Sequence, residues 1–350
     1  MEEVVIIVGA GPSGLATSAC LNVLSIPNII LEREDFFASL WKKRSYDRLK
    51  LHLGKQFCQL PHMPYPPGTP TFIPKARFLR YLEDYVSHFQ INPRYHRLVE
   101  SASYDKVAAK WHIVAKNTLS DESEVYLGKF LVVATGENSE GLIPKIPGLD
   151  SFGGEFMHCS KYKNGKRFAD KEVLKHVVTK EMVLLGMFLL KYVPRKVVDY
   201  VIVSLAKLNY GDLSNYGLPR PKEGPFYLKD VTRSPPIIDV GTIGKIKEGE
   251  IQVVPAVTKI EGQYVYFSSG KMNQFNAIIF ATGYKSTVLK WLQEDENLFN
   301  EDGMPKKNFP NHWNGENGLY CVGFASRGLF GIARDAEHIA NHINGVVRGK

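Results

Sequence analysis

Apolar residues fall into short unbroken runs at the start and near the end of the chain, with mixed segments between them. Residues 4–8 (VVIIV) are all β-branched, the mark of a parallel strand buried on both faces. GAGPSG follows at residues 9–14, and residues 15–24 read as a helix. Pro27 interrupts, and residues 28–31 form a second apolar strand that ends at Glu32. Strand, glycine turn, helix, strand and acid together make one βαβ unit.

Residues 36–75 are loop-rich, with prolines at 61, 64, 66, 67, 70 and 74. A helix is expected over 75–89, and antiparallel strands over 111–115 and 124–126. A further buried strand, 130–134, runs into Thr135-Gly136. Residues 171–174 start a strand that stops abruptly, 176–209 read mainly as helix, and 215–236 as loop. Strands return from 251, with 276–280 running into Ala281-Thr282-Gly283. A last strand at 319–322 precedes Gly323, and 334–346 form a closing helix. The alternation of strands and helices predicts an α/β fold.

Composition narrows the class. A length of 350 residues points to two domains, and 44% apolar with 23% charged residues is an ordinary globular balance. The net charge of +8 is not gathered into a long basic block, so nucleic acid is not the expected partner. The densest cluster, Lys42-Lys43-Arg44, reads as solvated surface or as an attractor of anionic cofactors. Cys20, Cys58, Cys159 and Cys321 form no C-x-x-C pair, which argues against a zinc site or a disulfide framework and for a reducing, cytoplasmic setting. Met1-Glu2-Glu3 runs straight into a strand, so no signal peptide is expected. The most apolar internal stretch, residues 182–190, is too short to span a bilayer.

In the glycine turn each position has its own task. Gly9 permits the tight turn out of the strand, Gly11 lets the backbone approach a diphosphate, and Gly14 lets helix and strand pack closely. Ala10, Pro12 and Ser13 lie between them at the start of a helix, whose free N–H groups and dipole favour an anion. Glu32 lies 18 residues past Gly14, close to the spacing expected of the acid that binds ribose hydroxyls. The N-terminal position of this unit favours FAD over NAD by analogy with two-dinucleotide flavoproteins. Thr135-Gly136 and Thr282-Gly283 both end apolar strands in an ATG turn, where small residues let a cofactor pass close by.

At this point the residues carry a family resemblance. Phe152, Gly154, His158 and Tyr162 match the F-x-G-x3-H-x3-Y signature of class B flavin-containing monooxygenases. The run from Glu32 to Pro66 resembles the plant YUCCA branch, as do HVVTKEMVLLGMFLLKYVP, YGDLSNYGLPRPKEGPF, IDVGTI and FATGYKS. The likeness covers nearly the whole chain. It implies FAD as cofactor, with NADPH and O2 consumed in the oxidative decarboxylation of indole-3-pyruvate to indole-3-acetate, the plant auxin. It also makes His52 a candidate for a hydrogen bond near the flavin, in the place of a flavin-facing Asn; a loop histidine with a solvent or backbone partner explains His52 equally well. For His158 and Tyr162 the physical expectation is loop anchoring. Trp41 and Tyr46 are flavin-lining or core aromatics.

One departure from the family matters. A class B monooxygenase carries a second GxGxxG for NADPH, after a strand like Lys171-Glu172-Val173-Leu174. Here that strand runs directly into Lys175 and the HVVTKEM segment, and no GxGxxG exists outside residues 9–14. About 30 residues, the size of a βαβ opening, have no counterpart, as an omitted exon or a gene-model artefact would produce. The expected organisation is a FAD-binding Rossmann-like domain, residues 1–168 and 230–350, with a truncated NADPH-type Rossmann domain inserted at 169–229. The alternatives are a catalytically inactive FAD-binding isoform and another class B enzyme such as an N-hydroxylase.

Overall fold

β1 (Glu2–Val8) and β2 (Asn28–Leu31) pair in parallel, joined by α1 (Pro12–Val23), as the N-terminal pattern requires. Residues 2–163, 177–232, 236–293 and 298–349 are described in this computed structural model. Val5, Ile6 and Ile7 are fully buried, which is why this strand carries no polar alternation. The short α2 (Ser39–Lys43) and then α3 (Lys75–His88) follow. α3 buries Phe78, Tyr81, Leu82 and Tyr85, one stripe at helical spacing.

β3 (Arg97–Asp105), β4 (Lys110–Asn117) and β5 (Ser123–Val133) form an antiparallel meander. The two strands expected at 124–126 and 130–134 are one strand of 11 residues, and β3 was not foreseen. The reason is that β5 serves two layers. One edge pairs in parallel with β1. The other edge pairs antiparallel with β4 over residues 123–128 and parallel with β15 over 131–133. Its exposure pattern therefore changes midway from alternating to fully buried. β6 (Glu140–Gly141) closes this part of the chain.

A second compact unit comprises residues 51–54 and 143–282. Here β7 (Glu155–His158) pairs in parallel with a much later strand. β8 (Val177–Val178), α4 (Lys180–Leu189), α5 (Arg195–Tyr210), α6 (Pro225–Thr232), β9 (Ile237–Ile238) and α7 (Thr242–Lys247) follow in order. The helical region expected over 176–209 is thus split by Pro194, which starts α5 from its N-cap. α6 lies within a segment expected to be loop. Pro225 is favourable at a first helical position, and the buried Asp199 accepts hydrogen bonds from Phe226 N and Tyr227 N at 2.8 and 3.0 Å. A cap supplied from α5 cannot be read locally. β10 (Val257–Glu261), β11 (Tyr264–Phe267) and β12 (Met272–Gln274) make an antiparallel sheet, and β13 (Ala277–Phe280) is the partner of β7. The strand start expected at 171–174 lies outside the described residues.

The chain then rejoins the first unit through β14 (Tyr284–Lys285), β15 (Leu319–Cys321) and α8 (Gly328–Val347). α8 begins six residues before the expected 334, because the glycines that obscure its first turn in the sequence are accommodated there. The parallel order β2-β1-β5-β15 makes a Rossmann-like core, with α1 packed on α8. The compact units divide the chain at 142/143 and 282/283, so the expected boundaries at 168 and 229 both fall inside the second unit. Strand pairing of β7 with β13, and a core joining Leu149 and Phe152 to Ile260, Val265, Phe267 and Phe280, draw those flanking residues together. No described helix is long and apolar enough to cross a membrane.

Candidate functional site

A cavity of about 730 Å3 lies at the carboxyl ends of β1, β2 and β5. Open α/β sheets bind ligands at this place, where successive connections leave the first strand in opposite directions. Residues of the first unit alone line it.

The glycine turn forms one wall. Gly9 has φ of +107°, and a Cβ there would sit 2.8 Å from Ala134 O. A Cβ on Gly14 would overlap Gly9 O, so only glycine lets α1 start so close to β1. Gly11 has open space before it and, with Pro12 and Ser13, lines the cavity. Gly11 is the N-cap of α1, no side chain caps this helix, and no acid stands in its first turn. Its first N–H groups are therefore available to an anion.

Glu32 is 7% exposed and lines the same cavity. Its carboxylate accepts from Ala10 N at 2.7 Å and from Glu34 N at 3.0 Å. Burial raises its pKa above the ordinary carboxylate value, and these two amides oppose the rise. The acid thus braces the turn, and its remaining lone pairs can take ribose hydroxyls. Glu32→Gln is expected to weaken FAD binding about tenfold, since an amide offers one acceptor where two N–H groups need one each. A flavin-fluorescence titration of the FAD-free protein measures this. Undiminished affinity would remove Glu32 from the site.

Thr135 and Gly136 line the opposite wall, Gly136 with φ of +74°. Thr135 Oγ1 is buried and has no hydrogen-bond partner in the protein. Thr135 is on the cavity lining, and its hydroxyl is a buried group whose hydrogen-bonding capacity the protein leaves unused. The third wall was missed by sequence reasoning. It comes from residues 323–329, where α8 also starts without a side-chain cap and with no acid in its first turn. Gly323, at φ of +83°, is packed so tightly on Ser13 that a Cβ would overlap the Ser13 hydroxyl. Two uncapped helix starts, an unsatisfied hydroxyl and a cradle closed to side chains fit a dinucleotide with a diphosphate bridge. The signal for the third wall, a glycine-rich stretch after the last strand, is present in Gly323, Gly328 and Gly331.

The basic cluster is divided between tasks. Lys42 lies 3.1 Å over the Phe36 ring, Lys43 bonds Glu34 and Asp35, and Arg44 lines the cavity while donating to Ser139 O at 3.2 Å. Trp41 also lines the cavity and meets Phe78 edge-on at 4.8 Å. Tyr46 and His52 are exposed and are not on its lining, and His52 belongs to the second unit.

The second ATG turn is not brought to this cavity. Gly283 instead accepts from Leu142 N at 3.0 Å, and Thr282 ends the second unit. The Phe152 signature builds that unit. Phe152 sits in its core, and a Cβ on Gly154 would overlap Asn276 O, where β7 approaches the start of β13. His158 is 4% exposed, and its Nδ1 accepts from Ser160 N at 3.2 Å. Tyr162 N donates to Cys159 O at 3.1 Å, closing the same turn. The cysteines are free; burial pushes the Cys20 and Cys58 thiols up to about 12 and Cys321 well above its ordinary value, so these three are inert. Among the described residues no cluster could hold a metal ion.

Comparison with known proteins agrees with this geometry. A family model described as flavin-binding monooxygenase-like matches residues 2–180. The probable indole-3-pyruvate monooxygenase YUCCA10 of Arabidopsis thaliana is 52% identical, covering 99% of this chain and 98% of that protein. Its alignment runs over 377 positions against a chain of 350 residues, so at least 27 positions have no counterpart here. Indole-3-pyruvate monooxygenase YUCCA1 of Oryza sativa subsp. japonica is 42% identical over 97% of this chain and 91% of its own length. Among solved structures, a flavin-containing monooxygenase from Stenotrophomonas maltophilia superposes with a TM-score of 0.69 at 17% identity, covering 99% of each chain. With this cavity, this fold and these relatives, the chain belongs to the YUCCA-type flavin monooxygenases.

Proposed function

We propose that the chain binds FAD in the cavity at the ends of β1, β2 and β5, that its reaction is the oxidative decarboxylation of indole-3-pyruvate, and that it lacks the means to hold NADPH. The observation that carries the flavin part is the meeting of two uncapped helix starts on one cavity whose wall also includes Thr135, with its partnerless hydroxyl. FAD, when bound, supplies the redox chemistry and the activation of O2. The protein's contribution is holding and orienting. The amides at the starts of α1 and α8 hold the diphosphate, and Glu32 takes the ribose. Thr135 Oγ1 offers one proton and its lone pairs. Arg44, whose guanidinium is paired with Glu34 at 3.0 Å, lines the same cavity.

Among the described residues of the inserted unit, none forms a cradle that fits NADPH. β8 is the strand that precedes a helix in the inserted unit, and it is two residues long. The following turn is Thr179 alone, with no glycine. Thr179 Oγ1 already accepts from Met182 N at 3.2 Å, and Glu181 puts a negative charge in the first turn of α4. Both features oppose a diphosphate. The unmatched positions in the alignment with YUCCA10 support the loss of a segment about the size of a glycine turn and its helix. The free cysteines support a cytoplasmic setting for this chemistry.

A single-turnover experiment separates the substrate from the reductant. The FAD-loaded protein is photoreduced without NADPH, then mixed with O2 and indole-3-pyruvate. The expected product is indole-3-acetate, in an amount approaching one per flavin. Reoxidation to hydrogen peroxide with the keto acid untouched would overturn the substrate, and failure to retain flavin would overturn the site.

A further inference from the structure

Glu137 directly follows the Thr135-Gly136 turn and lines the cavity, although a carboxylate there repels the diphosphate for which the site is built. Its place is explained by a contact far along the chain. Ser326 Oγ donates to Glu137 Oε2 at 2.9 Å, across 189 residues. Ser326 has φ of +53°, the left-handed region that a residue with a Cβ keeps only when its surroundings hold it there. Two residues later α8 begins, and its first turn lines the cavity.

The other end of this segment is also pinned. Gly323 is wedged on Ser13 of the glycine turn, and its N–H donates to Asp335 Oδ2 at 3.4 Å. Asp335 is 1% exposed and is bonded to the equally buried His312 through Nε2 at 3.1 Å. Arg327 is held with its guanidinium 4.2 Å from the centre of the Phe309 ring. Residues 323–328 therefore have a buried anchor at the start, and the bond from Ser326 to Glu137 crosses the cavity wall near the end.

We infer that Glu137 is a positioning residue: its hydrogen bond holds Ser326 in the left-handed conformation and so aims the first turn of α8 into the FAD cavity. The inference rests on the flavin reading of that cavity, and it concerns backbone geometry rather than the charge of the carboxylate. An acceptor at this position is what matters, so the amide of glutamine can replace it.

Hydrogen exchange in the FAD-free protein tests the brace without the cofactor. The amides of residues 331–334, the first bonded within α8, are expected to exchange about tenfold faster in Glu137→Ala and in Ser326→Ala, and near the wild-type rate in Glu137→Gln. FAD affinity, read by flavin fluorescence, should fall about tenfold in the two alanine variants, with the double variant no weaker than either single one. Unchanged exchange in Glu137→Ala, a glutamine variant as impaired as the alanine one, or additive losses in the double variant would each overturn the inference. Ser326→Ala removes a single hydroxyl and keeps the test decisive if Glu137→Ala fails to fold. Should the wild-type protein take up no FAD, the flavin reading falls, and the exchange rates still decide the brace.

Discussion

Anaerobic addition of NADPH to the FAD-loaded protein is expected to leave the flavin oxidised, while dithionite bleaches it at once. The expected deficit in the rate of reduction at micromolar NADPH is about 10^3-fold or more, relative to the same chain with the missing strand, glycine turn and helix restored. The magnitude follows from the loss of two or three charge-assisted hydrogen bonds to a diphosphate, each worth about 1.5–3 kcal/mol. Nothing at the start of α4 replaces them, because Thr179 already caps that helix and Glu181 stands in its first turn. The measurement is the visible flavin spectrum followed after mixing. Bleaching within seconds at micromolar NADPH would show that the chain holds the dinucleotide by other means. Recovery of reduction on restoring the unit would place the defect in the cradle rather than in the flavin site.

Gly14→Ala is expected to destabilise the FAD-free protein by about 3 kcal/mol and to weaken FAD binding by about 100-fold or more. The added Cβ would overlap the backbone oxygen of Gly9 and lie 3.4 Å from Ile7 Cγ2. Neither group is the free end of a flexible side chain, so α1 must move off β1 and carry its N-terminal amides away from the diphosphate. Gly11→Ala provides the contrast. Gly11 has φ of −71° and open space where its Cβ would be, so alanine fits the FAD-free fold. Its effect falls on the ligand, which the new methyl group meets directly. Thermal melts of the two FAD-free variants and their FAD titrations give four values. The expected pattern is both quantities lost for Gly14→Ala, and affinity alone lost for Gly11→Ala. Equal melting temperatures for the two variants would count against the close packing of helix on strand.

These expectations come from different depths of the molecule. The glycine turn was legible because all its parts lie within one stretch of chain, from Val4 to Glu32, and each part acts on its immediate neighbours. Continuous β-branched residues make a buried strand, glycine allows the turn, and the acid returns to Ala10 N at the end of the next strand. The resemblance to flavin monooxygenases was legible for the same reason, since spaced motifs survive in a linear string. Thr135-Gly136 and Thr282-Gly283 looked alike in that string, and they differ in fate. β5 belongs to the sheet that carries the cavity, whereas β13 pairs with β7 in another sheet. A local motif does not record which sheet its strand joins.

The sequence by itself determined the family, the first βαβ unit, the acid at its end and the absence of a second GxGxxG. Tertiary structure decided the rest of the site. The start of α8 reaches the cavity only because β15 pairs with β5 beside β1. Of the basic cluster only Arg44, just past the end of α2, reaches the cavity lining, while it shares Glu34 with Lys43. Glu137 met Ser326, and Asp335 met Gly323 and His312, through contacts that no spacing announces. The physical reason is range: turns, caps and strand runs are governed by residues a few positions apart, while the walls of a cavity are set by which distant strands share hydrogen bonds.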